Sequence, residues 1–386
     1  MAKKRVTVYF ATNRQPILKG GTDTIIGFSS ELGPTSGLDV RYGSAQVDVD
    51  LAAKTNEMVD GSLRVADQKL HFAARGRPTL GSNTIFDVLR DDMADRKRSA
   101  ITFIHGFSNS FIDAIERAGW NLVFLGLNAN MFVFTWPSIA SPIGVPLPYN
   151  DYEHDRATAA ASGPAVARTI RRLYDYVDRL ARDQRCDQSI HLLCHSMGNY
   201  VLRNALQALM RLPDPTSVVT GDFRSMMAMS ADAPDPSVLR RSFDKIILAA
   251  ADEDSDAFDD PLKLKYLPRI AESVTVYHNR KDWVLNTLSA ITKFNGPRLG
   301  NDGPDNMSSI SDKVSAIDAT DVDNFSNDPE SHQYYRTIPA VRDDIAAVLR
   351  GTPQNAIPNR RPIASGRWAI KPPVTRAKPT SRRRRR

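Results

Sequence analysis

At 386 residues the chain is long enough to bury one large α/β core, and 41% hydrophobic with 8% aromatic residues excludes a disordered protein. The net charge of +7 is uneven: from Gly351 onward there are eleven Lys or Arg and no Asp or Glu, leaving 40 basic against 44 acidic residues elsewhere. An electrostatic case for nucleic acid or an anionic membrane therefore rests on the tail, above all Arg382 to Arg386, and not on the body of the chain.

The start, MAKKRVTVYFATNR, has an apolar stretch too short for a signal peptide and continues as an alternating strand over Arg5 to Ala11. With no run of transmembrane length, the expectation is a soluble cytoplasmic protein. Gly20 to Gly43 is rich in Gly, Ser and Thr and reads as a loop or irregular hairpin, and Gly43 to Leu51 resumes strand alternation. A helix is predicted over Asn83 to Asp95. The first strands are expected to form an antiparallel start to the sheet.

Ala100 to Ile104 is a short buried strand ending at His105-Gly106-Phe107-Ser108-Asn109, with a helix predicted from Phe111 to Leu125. Glycine after a strand lets the backbone approach a substrate closely, so the Phe107 N–H could reach a carbonyl oxygen. Met131 to Thr135 is the next strand, ending at Trp136-Pro137-Ser138, and the Pro-rich apolar stretch Pro142 to Pro148 could line a cleft or simply connect elements. A long helix over Asp155 to Asp183 carries Val166, Ile170, Leu173, Val177 and Leu180 at helical spacing, a packing stripe.

Ile190 to Cys194 is a strand, broken by His195-Ser196-Met197-Gly198 and followed at once by a helix with Val201, Leu202, Ala205, Leu206 and Leu209 on one side. Strand, sharp turn and helix with a serine at the turn is a nucleophile elbow: the hydroxyl stands clear beside a helix N-terminus whose N–H groups can meet an oxyanion. Gly198 fits the need for small neighbours, and Cys194 stands where glycine is usual. The plainer role for Ser196 is a helix cap. Cys186 and Cys194 sit at the two ends of this strand and give neither a disulfide framework nor zinc spacing.

Lys245 to Ala250 is a further buried strand, and the carboxylates after it (Asp252, Glu253, Asp254, Asp256) read as a solvated loop and not a metal site. Ser273 to His278 is followed by Asn279-Arg280-Lys281-Asp282 and a short helix from Val284 to Ile291; Asn295 to Asn306 is a loop. Lys313 to Ile317 reads as the last strand, His332 lies in the polar loop beyond it, and a helix from Ile338 to Leu349 closes the fold at Gly351. Residues 1–350 are expected to form one domain, with 1–99 as N-terminal strands and loops and 100–350 as the core. Residues 351–386 are expected to be a disordered tail.

Strands alternating with helices predict a mostly parallel sheet with helices on both faces, whose ligand site lies at the strands' carboxyl ends. The chain order Ser196, Asp282, His332 is that of an α/β-hydrolase triad. With V-T-V-Y-F-A-T-N-R at the start, H-G-F before the second helix, W-P-S after the next strand, H-S-M-G-N at the elbow and N-R-K-D after a later strand, the chain resembles the bacterial α/β-hydrolase family of unknown function over Arg5 to Leu349. The resemblance implies an α/β-hydrolase fold and a serine hydrolase, without naming a substrate. Ser196 would be the nucleophile, His332 the base and Asp282 its partner, with Asp252 or Asp254 as alternative acids. Met197 and Phe107 would supply oxyanion donors, with His105 and Gly106 forming the turn. No metal or organic cofactor is implied. The expected substrate is a small-molecule carboxylic ester, acted on through an acyl-enzyme; alternatives are lipase, thioesterase or amidase activity, or a non-catalytic binding protein on the same fold.

Overall fold

The computed structural model describes residues 3–67, 80–140, 149–180, 186–211, 234–289, 296–323, 326 and 328–372. Six strands precede the first helix: β1 (Lys4–Thr12), β2 (Arg14–Leu18), β3 (Ile25–Leu32), β4 (Arg41–Asp50), β5 (Thr55–Met58) and β6 (Arg64–Val65). There follow α1 (Gly81–Arg96), β7 (Ser99–Ile104), α2 (Phe111–Leu125), β8 (Ala129–Thr135), α3 (Tyr149–Arg179), β9 (Ile190–His195) and α4 (Gly198–Leu209). The remainder comprises β10 (Phe243–Ala249), β11 (Ala271–His278), α5 (Leu299–Asp302), β12 (Val314–Asp318), α6 (Tyr334–Thr337), α7 (Pro339–Leu349), β13 (Arg360–Ala364) and β14 (Arg367–Ile370).

The main sheet runs β13-β14-β12-β11-β10-β9-β7-β8-β1-β4-β5, with β6 paired to β4. From β14 to β1 every neighbour is parallel. The first strands form the expected antiparallel start, β1 pairing antiparallel with β4, while the other edge of β1 joins the parallel sheet against β8. The Gly20 to Gly43 region holds the second strand of a separate hairpin, β2 with β3.

A parallel strand in mid-sheet must be apolar on both faces, and all seven residues of β8 are buried. Phe132 and Phe134 join one core with Ile85 and Phe86 of α1, Val166 and Ile170 of α3, and Val201 and Leu202 of α4. Met131 and Val133 face the other, with Phe111 and Ile115 of α2 and Val341 and Ile345 of α7. The helices thus cover both faces, and α2 starts where Ser110 and Asp113 each accept the other's backbone N–H.

Two expectations for the C-terminal part are corrected. β12 is not the last strand, and residues 351–372 are not a structureless tail: β14 pairs with β12 through Ala316–Arg367, Ile317–Trp368 and Asp318–Ala369. Arg360 donates to Asp344 of α7 at 2.6 and 2.7 Å, both side chains fully buried, and Ile370 packs into the second core. The basic composition concealed this because one arginine is consumed by a buried partner and the strands are only four and five residues long. Arg382 to Arg386 lie outside the described residues, as does the Pro142 to Pro148 stretch. Among the described residues no helix is long and apolar enough to cross a membrane.

Candidate active site

Ser196 follows β9 directly and carries φ = +52°. A non-glycine residue in the left-handed region is held there by its surroundings. The Ser196 N–H donates to Ala249 O at 3.0 Å, and its carbonyl accepts from Asn199 N–H at 3.0 Å, Asn199 Nδ2 at 2.9 Å and Asp252 N–H at 3.3 Å. The asparagine of H-S-M-G-N is therefore a brace for the turn. Gly198 opens α4 where a Cβ would lie 2.5 Å from Ile104 O and 2.6 Å from His105 O, so only glycine lets the helix start against β7. At Gly106 an added Cβ would meet Ser196 Cβ at 2.8 Å, which places the His105-Gly106-Phe107 turn against the nucleophile candidate.

His332 lies in the loop before α6, buried, with its Nδ1 2.7 Å from Asp282 Oδ2. Its carbonyl accepts from His195 Nε2 at 3.1 Å, and the two imidazoles sit 4.8 Å apart, which brings the His332 ring beside the residue preceding Ser196. Asp282 is fully buried just past β11, and its other oxygen accepts from Leu285 N–H at 3.0 Å. The two loops are tied together by Trp283 N–H donating to Glu330 O at 3.0 Å and Asn279 Nδ2 donating to Ser331 O at 3.1 Å. Among the described residues Ser196 Oγ makes no hydrogen bond, to His332 or to any other group. Such contacts are commonly long without substrate and tighten when it binds.

Burial works against the His332 imidazolium, but the charge and hydrogen bond of Asp282 outweigh it and raise the ring above its ordinary value. Burial also raises the Asp282 carboxyl, opposed by His332. With Nδ1–H directed at the carboxylate, a neutral His332 presents Nε2 as a base. The other two buried histidines nearby are held neutral, both lowered well below the usual value chiefly by burial. His105 accepts from Trp136 N–H at Nε2 (3.2 Å), contacts Gly106 O through Nδ1 (2.9 Å) and stacks on Trp136. Both nitrogens of this buried ring are thus engaged with backbone groups of the turn and of the next strand's end.

Met197 follows Ser196 at the start of α4 and Phe107 follows Gly106 in the turn packed against Ser196, and among the described residues neither N–H donates a hydrogen bond. Of the carboxylates after β10 only Asp256 is exposed, which corrects the expectation of a solvated loop for the other three. Asp252 and Glu253 are buried, Asp252 accepting from Tyr152 OH at 2.6 Å and Glu253 pairing with Arg203 at 3.3 Å. Asp254 pairs with Arg298 and with Lys263. Of the three acids considered, Asp282 is the one hydrogen-bonded to His332. Among the described residues no group of three or more His, Cys, Asp or Glu could hold a metal ion.

The family described as alpha/beta hydrolase of unknown function (DUF900) matches residues 84–350. The chain belongs to that family. DUF900 membership accounts for the mostly parallel sheet, and it makes the protein an α/β hydrolase. The matched span begins within α1 and ends just beyond α7, so β1 to β6 and the added strands β13 and β14 lie outside it. A search of curated proteins finds no match.

Proposed function

We propose that this DUF900 hydrolase is a serine hydrolase that cleaves a carboxylic ester through an acyl-enzyme. Ser196 Oγ attacks the ester carbonyl carbon while His332 Nε2 takes its proton, and the oxyanion is received by the N–H groups of Met197 and Phe107. As the tetrahedral intermediate collapses, the bond to the alcohol oxygen breaks and His332 returns the proton to that oxygen. Water then attacks the acyl-enzyme by the same route, giving the acid and restoring Ser196. Asp282 holds the imidazole with Nδ1–H inward and stabilises its charged form.

The observation that carries this reading is the 2.7 Å contact between His332 and Asp282, with the His332 carbonyl accepting from the side chain of His195 next to Ser196. The test is hydrolysis of p-nitrophenyl esters of increasing acyl length by the intact protein and by Ser196→Ala. Turnover that peaks at one chain length and is lost in the variant supports an ester hydrolase and sizes its acyl site. Equal rates from the two proteins would refute it.

A further inference from the structure

Arg14 follows β1 in the Thr12-Asn13-Arg14 stretch and is 1% exposed. Its guanidinium spreads over four oxygens of other segments: Nε donates to Thr135 Oγ1 at 2.8 Å, Nη2 to Asn109 O at 2.8 Å, and Nη1 to Ser29 O at 3.2 Å and Ser138 O at 3.4 Å. Among the described residues no carboxylate accepts from it. A buried cation held only by neutral oxygens is expensive, and burial pushes this guanidinium down to about 9, against the charges of Asp155 and Asp113.

What the cation grips is the oxyanion turn. Asn109, its shortest carbonyl partner, closes that turn with its own side chain, Nδ2 donating to Phe107 O at 2.7 Å and to Gly106 O at 3.0 Å. The Asn109 N–H donates to Ser138 Oγ at 3.2 Å, and that hydroxyl donates in turn to Asp155. Asp155 also accepts the N–H of Ser108, whose φ of +57° is another left-handed position in the same turn. The chain of contacts from Arg14 thus reaches the Gly106–Phe107 peptide itself, whose carbonyl end accepts from Asn109 and whose other end is the Phe107 N–H.

We propose that Arg14 is a positioning residue: by bridging the carbonyls of Asn109 and Ser138 it fixes the direction of the Phe107 N–H. The proposal rests on the oxyanion role given to that N–H above. A planar fork can span two carbonyls and a hydroxyl at once, which a lysine ammonium on a flexible stem cannot.

The test compares wild type with Arg14→Lys by three readouts: thermal unfolding, amide hydrogen exchange of the peptide spanning 105–110, and kcat and KM on a p-nitrophenyl ester. The expected result is a folded variant with faster exchange in 105–110, kcat lower by on the order of 100-fold and KM nearly unchanged, as for a misplaced catalytic group. If Arg14→Lys does not fold, Thr135→Val removes the Nε acceptor alone and should show the same pattern, about tenfold in kcat. A folded variant with wild-type exchange in 105–110, or one with loosened exchange and undiminished kcat, would overturn the proposal. Should the wild type show no turnover dependent on Ser196, the hydrolase reading fails by itself. The exchange data then still decide whether Arg14 holds the turn.

Discussion

Replacing Asp282 by Asn tests the acid, the base and the proton inventory of the site together. The carboxylate has two committed oxygens: one accepts from Leu285 N–H at 3.0 Å and the other faces His332 Nδ1 at 2.7 Å. An asparagine must keep its carbonyl oxygen toward the Leu285 N–H, which turns its NH2 group toward His332. The imidazole then has to accept at Nδ1 and carry its proton on Nε2, where it cannot take a proton from Ser196. In a serine triad this wrong tautomer lowers kcat by about 10⁴-fold, or about 5 kcal/mol.

Stability should move the other way. Burial raises the Asp282 carboxyl, so the folded protein holds that proton more tightly than the unfolded chain. Stability from this group is lost as pH rises from the unfolded value, about 4, through the raised folded value. Asparagine carries no charge, so the melting temperature at pH 7.5 should be equal to or above that of wild type. The pH profile supplies a further readout. Since His332 is raised above 6.5, chiefly by Asp282 working against burial, the acid limb of wild-type kcat/KM should lie above pH 6.5. In Asp282→Asn burial is opposed only by the smaller effects of the Asp328 and Glu330 charges, and the limb of the residual activity should shift to lower pH. The assay is ester hydrolysis from pH 5 to 9 with parallel thermal melts, using Asp252→Asn as the comparison. An Asp282→Asn variant within tenfold of wild type, beside an Asp252→Asn variant that is inactive, would refute the assignment.

Three further outcomes follow from the packing. Gly198→Ala drives a methyl against the Ile104 and His105 carbonyls and should destabilise by about 2 kcal/mol, read as a drop of several degrees in melting temperature; an unchanged melt would contradict the packing at the elbow. Arg360→Ala leaves Asp344 buried without its cation and should cost about 3–5 kcal/mol in urea unfolding, whereas a loss under 1 kcal/mol would show that β13 is not anchored. Burial raises the Cys194 thiol well above its usual value, so iodoacetamide at pH 8 should modify half-buried Cys186 and spare Cys194 until the protein unfolds. Mass spectrometry of the alkylated native protein checks this.

The parallel core was legible because a buried strand advertises itself as a short apolar run and its helix as a 3.6-residue stripe. α2 was expected at the very residues found, Phe111 to Leu125, where Ser110 caps one end and Gly126 in the left-handed region ends the other. The triad candidates were legible as chain order alone. That order could not separate Asp282 from Asp252 or Asp254, because both loops leave the same edge of the sheet. Only the side-chain partners do: Tyr152 for Asp252, Arg298 and Lys263 for Asp254, His332 for Asp282. The carboxylates after β10 looked solvated because their cations, Arg203, Lys263 and Arg298, are remote in sequence. Arg14 was missed for a related reason. Nothing local distinguishes a buried arginine from an exposed one at the end of a strand, and its acceptors lie 15 to 124 residues away. β13 and β14 escaped notice because two short strands need no hydrophobic period of their own when an existing sheet edge supplies the pairing.

The most direct test of the central claim is labelling of the intact protein with a fluorophosphonate probe, followed by mass spectrometry of the modified peptide. An activated serine attacks the phosphorus and displaces fluoride, so the account predicts a single adduct on Ser196. That adduct should be absent in Ser196→Ala and strongly slowed in Asp282→Asn. Folded protein that takes up no label, or that is labelled equally well without Ser196, would contradict it.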